Sequence, residues 1–139
     1  MTLTQYRAAF LARQVWRDRT RDIADRPLER CENLLGPHRP LTAIRRGDIE
    51  ALVVRLSSEL APGTVRTTFR HLRSLIRSAM ADGLLIVDPT LRVRLPARPT
   101  IDLLIPTRAE LDRLLEAAPP EFRVAIILGA HVGLRAGEA

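Results

Sequence analysis

Apolar side chains recur along this chain at intervals of three and four, the spacing that lines up one face of an α-helix. Residues 2–14 place Leu3, Tyr6, Phe10 and Leu11 on one side. Residues 20–35 carry Ile23, Leu28, Cys31, Leu34 and Leu35, with Pro27 among them. A proline inside a helix removes an N–H and crowds the preceding turn, so this helix either kinks or starts near Pro27. Residues 36–40 form a turn. Ile49, Leu52, Val53 and Leu56 predict a third helix over 48–60, with Asp48 as its N-cap. A fourth runs over 62–82 on Val65, Phe69, Leu72, Ile76 and Met80, with Thr64 as the expected cap and Gly83 as the stop.

The pattern then changes. Residues 88–100 hold Pro89, Pro96 and Pro99, lack helical periodicity and read as a linker. Helix resumes over 107–118, where Thr107 and Glu110 form a capping box ahead of Leu111, Leu114 and Leu115. Pro119 and Pro120 break it, and a last apolar helix spans 121–132 before Gly133. The fold class expected is all-α, with a four-helix domain, a proline linker and the first helices of a second domain.

Composition narrows the chemistry. The chain has 139 residues and 22 basic side chains, all of them arginine. Without lysine there is no P-loop Gly-Lys-Ser/Thr, no Schiff base and no Ser-x-x-Lys nucleophile. One cysteine, Cys31, allows no intrachain disulfide and fits a reducing cytoplasm. Aromatic residues are 4% of the chain, so Leu, Val, Ile and Ala must build the core. The apolar run 124–130 falls far short of the ~20 residues that cross a bilayer, and residues 1–5 carry no signal-peptide pattern. His38, His71 and His131 do not combine with Cys31 in a metal-ligand spacing, so no metal is expected. Cys31 reads as a small core residue, and Trp16 as a core anchor or a lone surface aromatic.

Charge separates the two halves. Residues 1–100 hold 18 arginines against 10 acids, a net +8; residues 101–139 hold 4 against 6, a net −2. Only the first half looks built to meet a polyanion. Within it, Arg66, Arg70, Arg73 and Arg77 are spaced four, three and four, which aligns them along one helix. Such a stripe is ordinarily a solvated face. Yet no acid occurs between Ala61 and Ala81, and like charges at this spacing repel by about 0.2–0.5 kcal/mol per pair. An unneutralised row suggests that the counter-charge comes from outside, and DNA phosphate is the commonest source. Thr64 and Thr67 lie at the same end, with hydroxyls suited to phosphates or base edges. Arg92, Arg94 and Arg98 add to the field. An acidic protein or anionic lipid would satisfy the charge equally well.

The last residues, Val132-Gly133-Leu134-Arg135-Ala136-Gly137-Glu138, put an arginine just past a helix break. Arg135 is placed either to fork an anion, with Glu138 orienting it, or to make a local ion pair with Glu138. This stretch resembles the first arginine box of the tyrosine recombinases, or phage integrases. Upstream, Ile105-Pro106-Thr107-Arg108-Ala109-Glu110-Leu111-Asp112-Arg113-Leu114-Leu115 resembles the opening of their catalytic domain. Leu60-Ala61-Pro62-Gly63-Thr64-Val65-Arg66, Arg73–Met80 and Gly83–Pro89 resemble the last helix and exit of their core-binding domain, and Leu35–Ile44 with Asp48-Ile49 resembles the turn before its third helix.

The resemblance implies a four-helix, SAM-like core-binding domain over 1–95, a linker over 96–104 and a truncated start of the catalytic domain over 105–139. It implies double-stranded DNA as partner, contacted by Thr64, Arg66, Thr67, Arg70, Arg73 and Arg77 of the fourth helix, by Arg19, Arg21 and Arg26 around the second, and by Arg92 and Arg94 beyond the bundle. Arg135 would be the catalytic arginine on the scissile phosphate. The family cleaves DNA through a tyrosine–phosphate link without metal or nucleotide, so no cofactor, small-molecule substrate or membrane is expected. This sequence departs from the family pattern: it has no lysine, no His-x-x-Arg box, and a single tyrosine, Tyr6, in the first helix. The expected function is therefore a truncated integrase-like protein that binds DNA without cutting it alone. The alternative is a helical interaction or dimerisation module. Leu111, Leu114, Val124, Ile127 and Leu128 would be left uncovered, and they are expected either to fold back on the first domain or to pair with a second copy as a homodimer through 105–139.

Overall fold

The structure is a computed structural model that describes residues 1–98, 100, 104–135 and 138. Among these there are six α-helices and no strand: α1 (Leu3–Arg13), α2 (Asp18–Leu35), α3 (Arg46–Glu59), α4 (Pro62–Ala81), α5 (Arg108–Ala117) and α6 (Pro120–Val132), with a 3₁₀ turn at Leu41–Ala43. The chain divides into two units, Met1–Pro99 and Thr100–Ala139. The membership of Ile101, Asp102 and Leu103 in a helix or loop lies outside the described residues, as does the Ala136-Gly137 part of the final motif.

In the first unit α2 and α4 form the central pair, and each also packs on α1 and α3. The side chains between them are the ones the periodicity marks: Tyr6 and Phe10 from α1, Leu28 and Cys31 from α2, Leu52 and Leu56 from α3, and Phe69, Leu72 and Ile76 from α4. Cys31 is wholly buried, and that burial pushes its thiol up to about 12. Trp16 is half-buried and stands edge-on to Phe10, ring centres 6.1 Å apart.

Local chemistry differs from the sequence reading at several ends. Helix α2 runs through Pro27 without a break. An interior proline costs ~3 kcal/mol, which the burial of Ala24, Leu28, Cys31 and Leu35 along one face offsets. Ile23 lies off that face and is exposed. Helix α3 starts three residues earlier than Asp48 suggests. Arg45 is the N-cap, and Asp48 sits in the first turn, where its carboxylate accepts the Arg45 N–H at 2.8 Å. Helix α4 is capped by Ala61 with Pro62 as the first helical residue, so Thr64 is an exposed first-turn residue and not the cap. Its C-terminus closes as expected on Gly83, whose φ of +72° suits glycine, with Leu84 N–H reaching back to the Ala79 carbonyl at 2.9 Å.

The segment after α4 is less of a linker than its prolines suggest. Leu85, Pro89 and Thr90 are buried, and Val93 and Leu95 pack against the helical core. Prolines end the helix, but the apolar residues between them still find the bundle.

The second unit has no buried residue in either helix. Thr107 and Glu110 form the capping box of α5, with the Thr107 N–H 2.8 Å from the Glu110 carboxylate. Leu114, Phe122, Val124 and Ile127 are exposed, while Leu111 and Leu128 are half-covered.

Candidate nucleic-acid interface

The arginines of the first unit fall into two populations. Arg7, Arg13, Arg30, Arg39 and Arg46 each have a carboxylate partner. Arg7 bridges Asp25 at 2.8 Å and the buried Glu32 at 2.7 Å, joining α1 to α2. Arg39 forks onto Asp48 with contacts of 2.9 and 2.7 Å. That fork and the Arg45 N–H hold the Asp48 carboxyl below its ordinary range, the backbone hydrogen bond being the larger cause. Of these, Arg7, Arg13 and Arg39 tie separate elements together.

The second population includes every arginine of the first unit that the sequence assigns to a polyanion. Among the described residues no carboxylate lies within 4.0 Å of Arg19, Arg21, Arg26, Arg66, Arg70, Arg73, Arg77, Arg92 or Arg94. Among the described residues the stripe on α4 thus meets no carboxylate.

The structure also splits that stripe. Arg70 and Arg77 are exposed; Arg66 and Arg73 are half-buried. At 100° per residue Arg66 and Arg73 lie nearest the core line of Phe69 and Ile76, roughly 40–80° round the helix from it. Arg66 Nη1 donates to the Pro96 carbonyl at 3.0 Å, so this side chain holds the segment leaving the bundle against α4. The Nε–H groups of Arg73 on α4 and Arg21 on α2 are buried with no acceptor among the described residues.

On α2 the three assigned arginines do not act as one group. Arg19 and Arg26 are exposed on the outward side, while Arg21 is half-buried roughly 150° round the helix. Arg92 and Arg94 lie beside α3. Arg46 Nη2 donates to the Arg92 carbonyl at 3.4 Å, and Arg94 borders a surface with Glu50, Val53 and Val54. Arg92 has a φ of 59°, a left-handed conformation rare for a side-chain-bearing residue. It sits at the edge of an open, largely apolar cleft of about 670 Å³ floored by Ile44, Leu84 and Leu85 and edged by Arg45, Arg46 and Asp88. Sequence reasoning missed this cleft, because it joins positions some forty residues apart. The one signal was the run Leu84-Leu85-Ile86-Val87, too apolar for a plain turn.

His71 flanks the stripe and is half-buried. Burial, then the neighbouring Arg70, pushes its pKa down, so it is neutral at pH 7. Among the described residues no cluster of His, Cys, Asp or Glu could hold a metal, and no helix is long and apolar enough to cross a membrane.

Tyr6 is committed elsewhere. Its hydroxyl donates to Asp82 Oδ2 at 2.6 Å and accepts from Ser78 Oγ and from Arg13 Nη2, at 2.9 and 3.0 Å. Desolvation and the Asp82 contact raise its pKa. This network ties α1 to the end of α4.

In the second unit Arg135 follows Gly133, which ends α6 in the left-handed conformation. Its side chain is 87% exposed and lies 3.5 Å from Glu138, while its N–H donates to the same carboxylate at 2.9 Å. Both sequence readings of this pair, anion fork and local ion pair, are compatible with that geometry.

No protein-family model matches the chain, and no curated protein does. A solved structure of the Tn1549 transposon integrase, residues 82–397, in complex with circular intermediate DNA is similar in fold. The TM-score is 0.81 at 19% identity, over 98% of this chain and 47% of that one. The chain therefore shares its all-α fold with part of that structure and spans about half its length.

Proposed function

We propose that this chain is the DNA-gripping front part of a tyrosine-recombinase-type integrase, with residues 1–95 as core-binding domain, 96–104 as linker and 105–139 as the opening of the catalytic domain. The observation that carries the reading is the acid-free arginine row on α4, unpaired among the described residues, in a fold like that of an integrase solved with DNA. Guanidinium groups at positions 66, 70, 73 and 77 match a line of phosphates, with Arg19, Arg21, Arg26, Arg92 and Arg94 as further contacts. Binding then releases counterions, and affinity falls linearly with salt on logarithmic axes.

On this reading the 139 residues hold DNA without breaking it. The only tyrosine, Tyr6, has its hydroxyl bound to Asp82 inside the bundle, and no lysine is present to assist a leaving group. Arg135 is the one family catalytic position this chain carries, an exposed fork ready for a phosphate. The uncovered Leu114, Val124 and Ile127 suit a contact with a second copy, a homodimer through the α5–α6 unit. Titrating a fluorescent duplex at increasing salt tests the DNA reading: a steep negative slope is expected, and a flat one defeats it. Sedimentation of the free chain tests the dimer.

A further inference from the structure

The outermost line of α4 differs from the arginine stripe beside it. At 100° per residue Gly63, Thr67, Arg70, Ser74, Arg77 and Ala81 fall within an arc of about 80°, and all six are exposed. The arc is centred opposite the buried line of Val65, Leu72 and Ile76. Its spacing of four, three, four, three, four makes one straight ridge. Four of its six residues are Gly, Ala, Ser or Thr, so the helix backbone can approach a partner closely between the two arginines. A ridge built only to rest on phosphates has no need of such short side chains.

The hydroxyls on this ridge are also unspent. On α3, Ser57 and Ser58 turn their hydroxyls back onto the Val53 and Arg55 carbonyls, at 2.7 Å each. Among the described residues Thr67 and Ser74 make no such bond. They stand seven residues apart, about 10.5 Å along the axis, which is about three base-pair rises of 3.4 Å.

Resting on the DNA-binding reading, we infer that Thr67 and Ser74 are sequence-reading positions. Their hydroxyls meet base edges in the major groove about three base pairs apart, while Arg70 and Arg77 on the ridge, with Arg66 and Arg73 on its shoulder, hold the flanking phosphates. A hydroxyl both donates and accepts, so each position discriminates by geometry and not by one fixed base. The division predicts two kinds of loss: arginine changes weaken all duplexes alike, and hydroxyl changes alter only the choice among them.

The experiment is selection from duplex oligonucleotides with a randomised centre, using the full chain and its Thr67→Ala, Ser74→Ala and Thr67→Ser variants. The unaltered chain enriches a sequence. Thr67→Ala loses the preference at one base pair and Ser74→Ala at another about three pairs away. Each alanine variant lowers the ratio of selected- to random-duplex affinity by about fivefold or more, while Thr67→Ser retains the preference. The inference is overturned if the alanine variants select the same sequence, if they weaken selected and random duplexes equally, or if the unaltered chain binds duplex but enriches nothing. Failure of the unaltered chain to bind any duplex would instead strike the DNA-binding reading itself.

Discussion

Two groups of arginines in the same bundle do opposite things. Arg7, Arg13 and Arg39 are held by carboxylates of other elements, and Arg70, Arg73 and Arg77 have none among the described residues. The first group joins α1, α2, the turn before α3 and the end of α4. The second leaves a positive field on one side of α4. The difference shows why net charge alone is a poor guide to function: a basic domain spends part of its charge internally, and only the remainder is available to a partner.

Mutations separate the two groups. The largest effect is expected from Arg70→Glu with Arg73→Glu, which should weaken duplex binding on the order of a hundredfold or more at low salt by replacing two attractions with repulsions. Helicity should stay near that of the unaltered chain. Intact binding in a titration would favour the interaction-module reading instead.

The converse variant is Arg7→Ala. It strips the charged partner from Glu32, which is 5% exposed and keeps only the Thr4 hydroxyl among the described residues, and should cost about 3 kcal/mol of stability. Denaturant melts would register this, while the duplex affinity of the folded fraction stays unchanged. If Arg7→Ala instead lowered DNA affinity and spared stability, the division into two groups would be wrong.

Smaller in size is the effect of Arg77→Ala, which should reduce the slope of log affinity against log salt by about 0.9, one phosphate contact. Its exposed position predicts no change in melting.

The smallest effect is on pH dependence. Arg13 first, then the Tyr6 hydroxyl, holds the Asp82 carboxyl below its ordinary value, and Asp48 is lowered by the Arg45 N–H and Arg39. A carboxyl depressed in the folded state contributes stability above its unfolded value, about 4, and loses it as pH falls through the folded value. Stability should therefore decline below about pH 4, and Asp82→Asn should flatten part of that decline in acid melts. Cys31, pushed up to about 12 by burial, should resist thiol reagents at pH 8 until the chain unfolds.

Much of this protein is written in its periodicity. The apolar positions at three-four spacing locate α1, α3, α4, α5 and α6, and the alignment of Arg66, Arg70, Arg73 and Arg77 follows from helix geometry alone. The core line Val65–Phe69–Leu72–Ile76 is buried as its spacing requires. Local signals stop there, because they do not contain distant neighbours. Nothing near Pro27 reveals that α4 packs against α2 and lets the helix continue past a proline. Nothing near Arg66 announces the Pro96 carbonyl thirty residues away.

What the sequence alone determined is which residues share a helical face and that α4 lacks acids of its own, since both depend on spacing within one helix. Which arginines meet acids from elsewhere is settled by the packing of the helices. Charge pairing acts over a few ångströms in space, and Arg7 with Glu32, or Arg13 with Asp82, are neighbours only after the chain has folded.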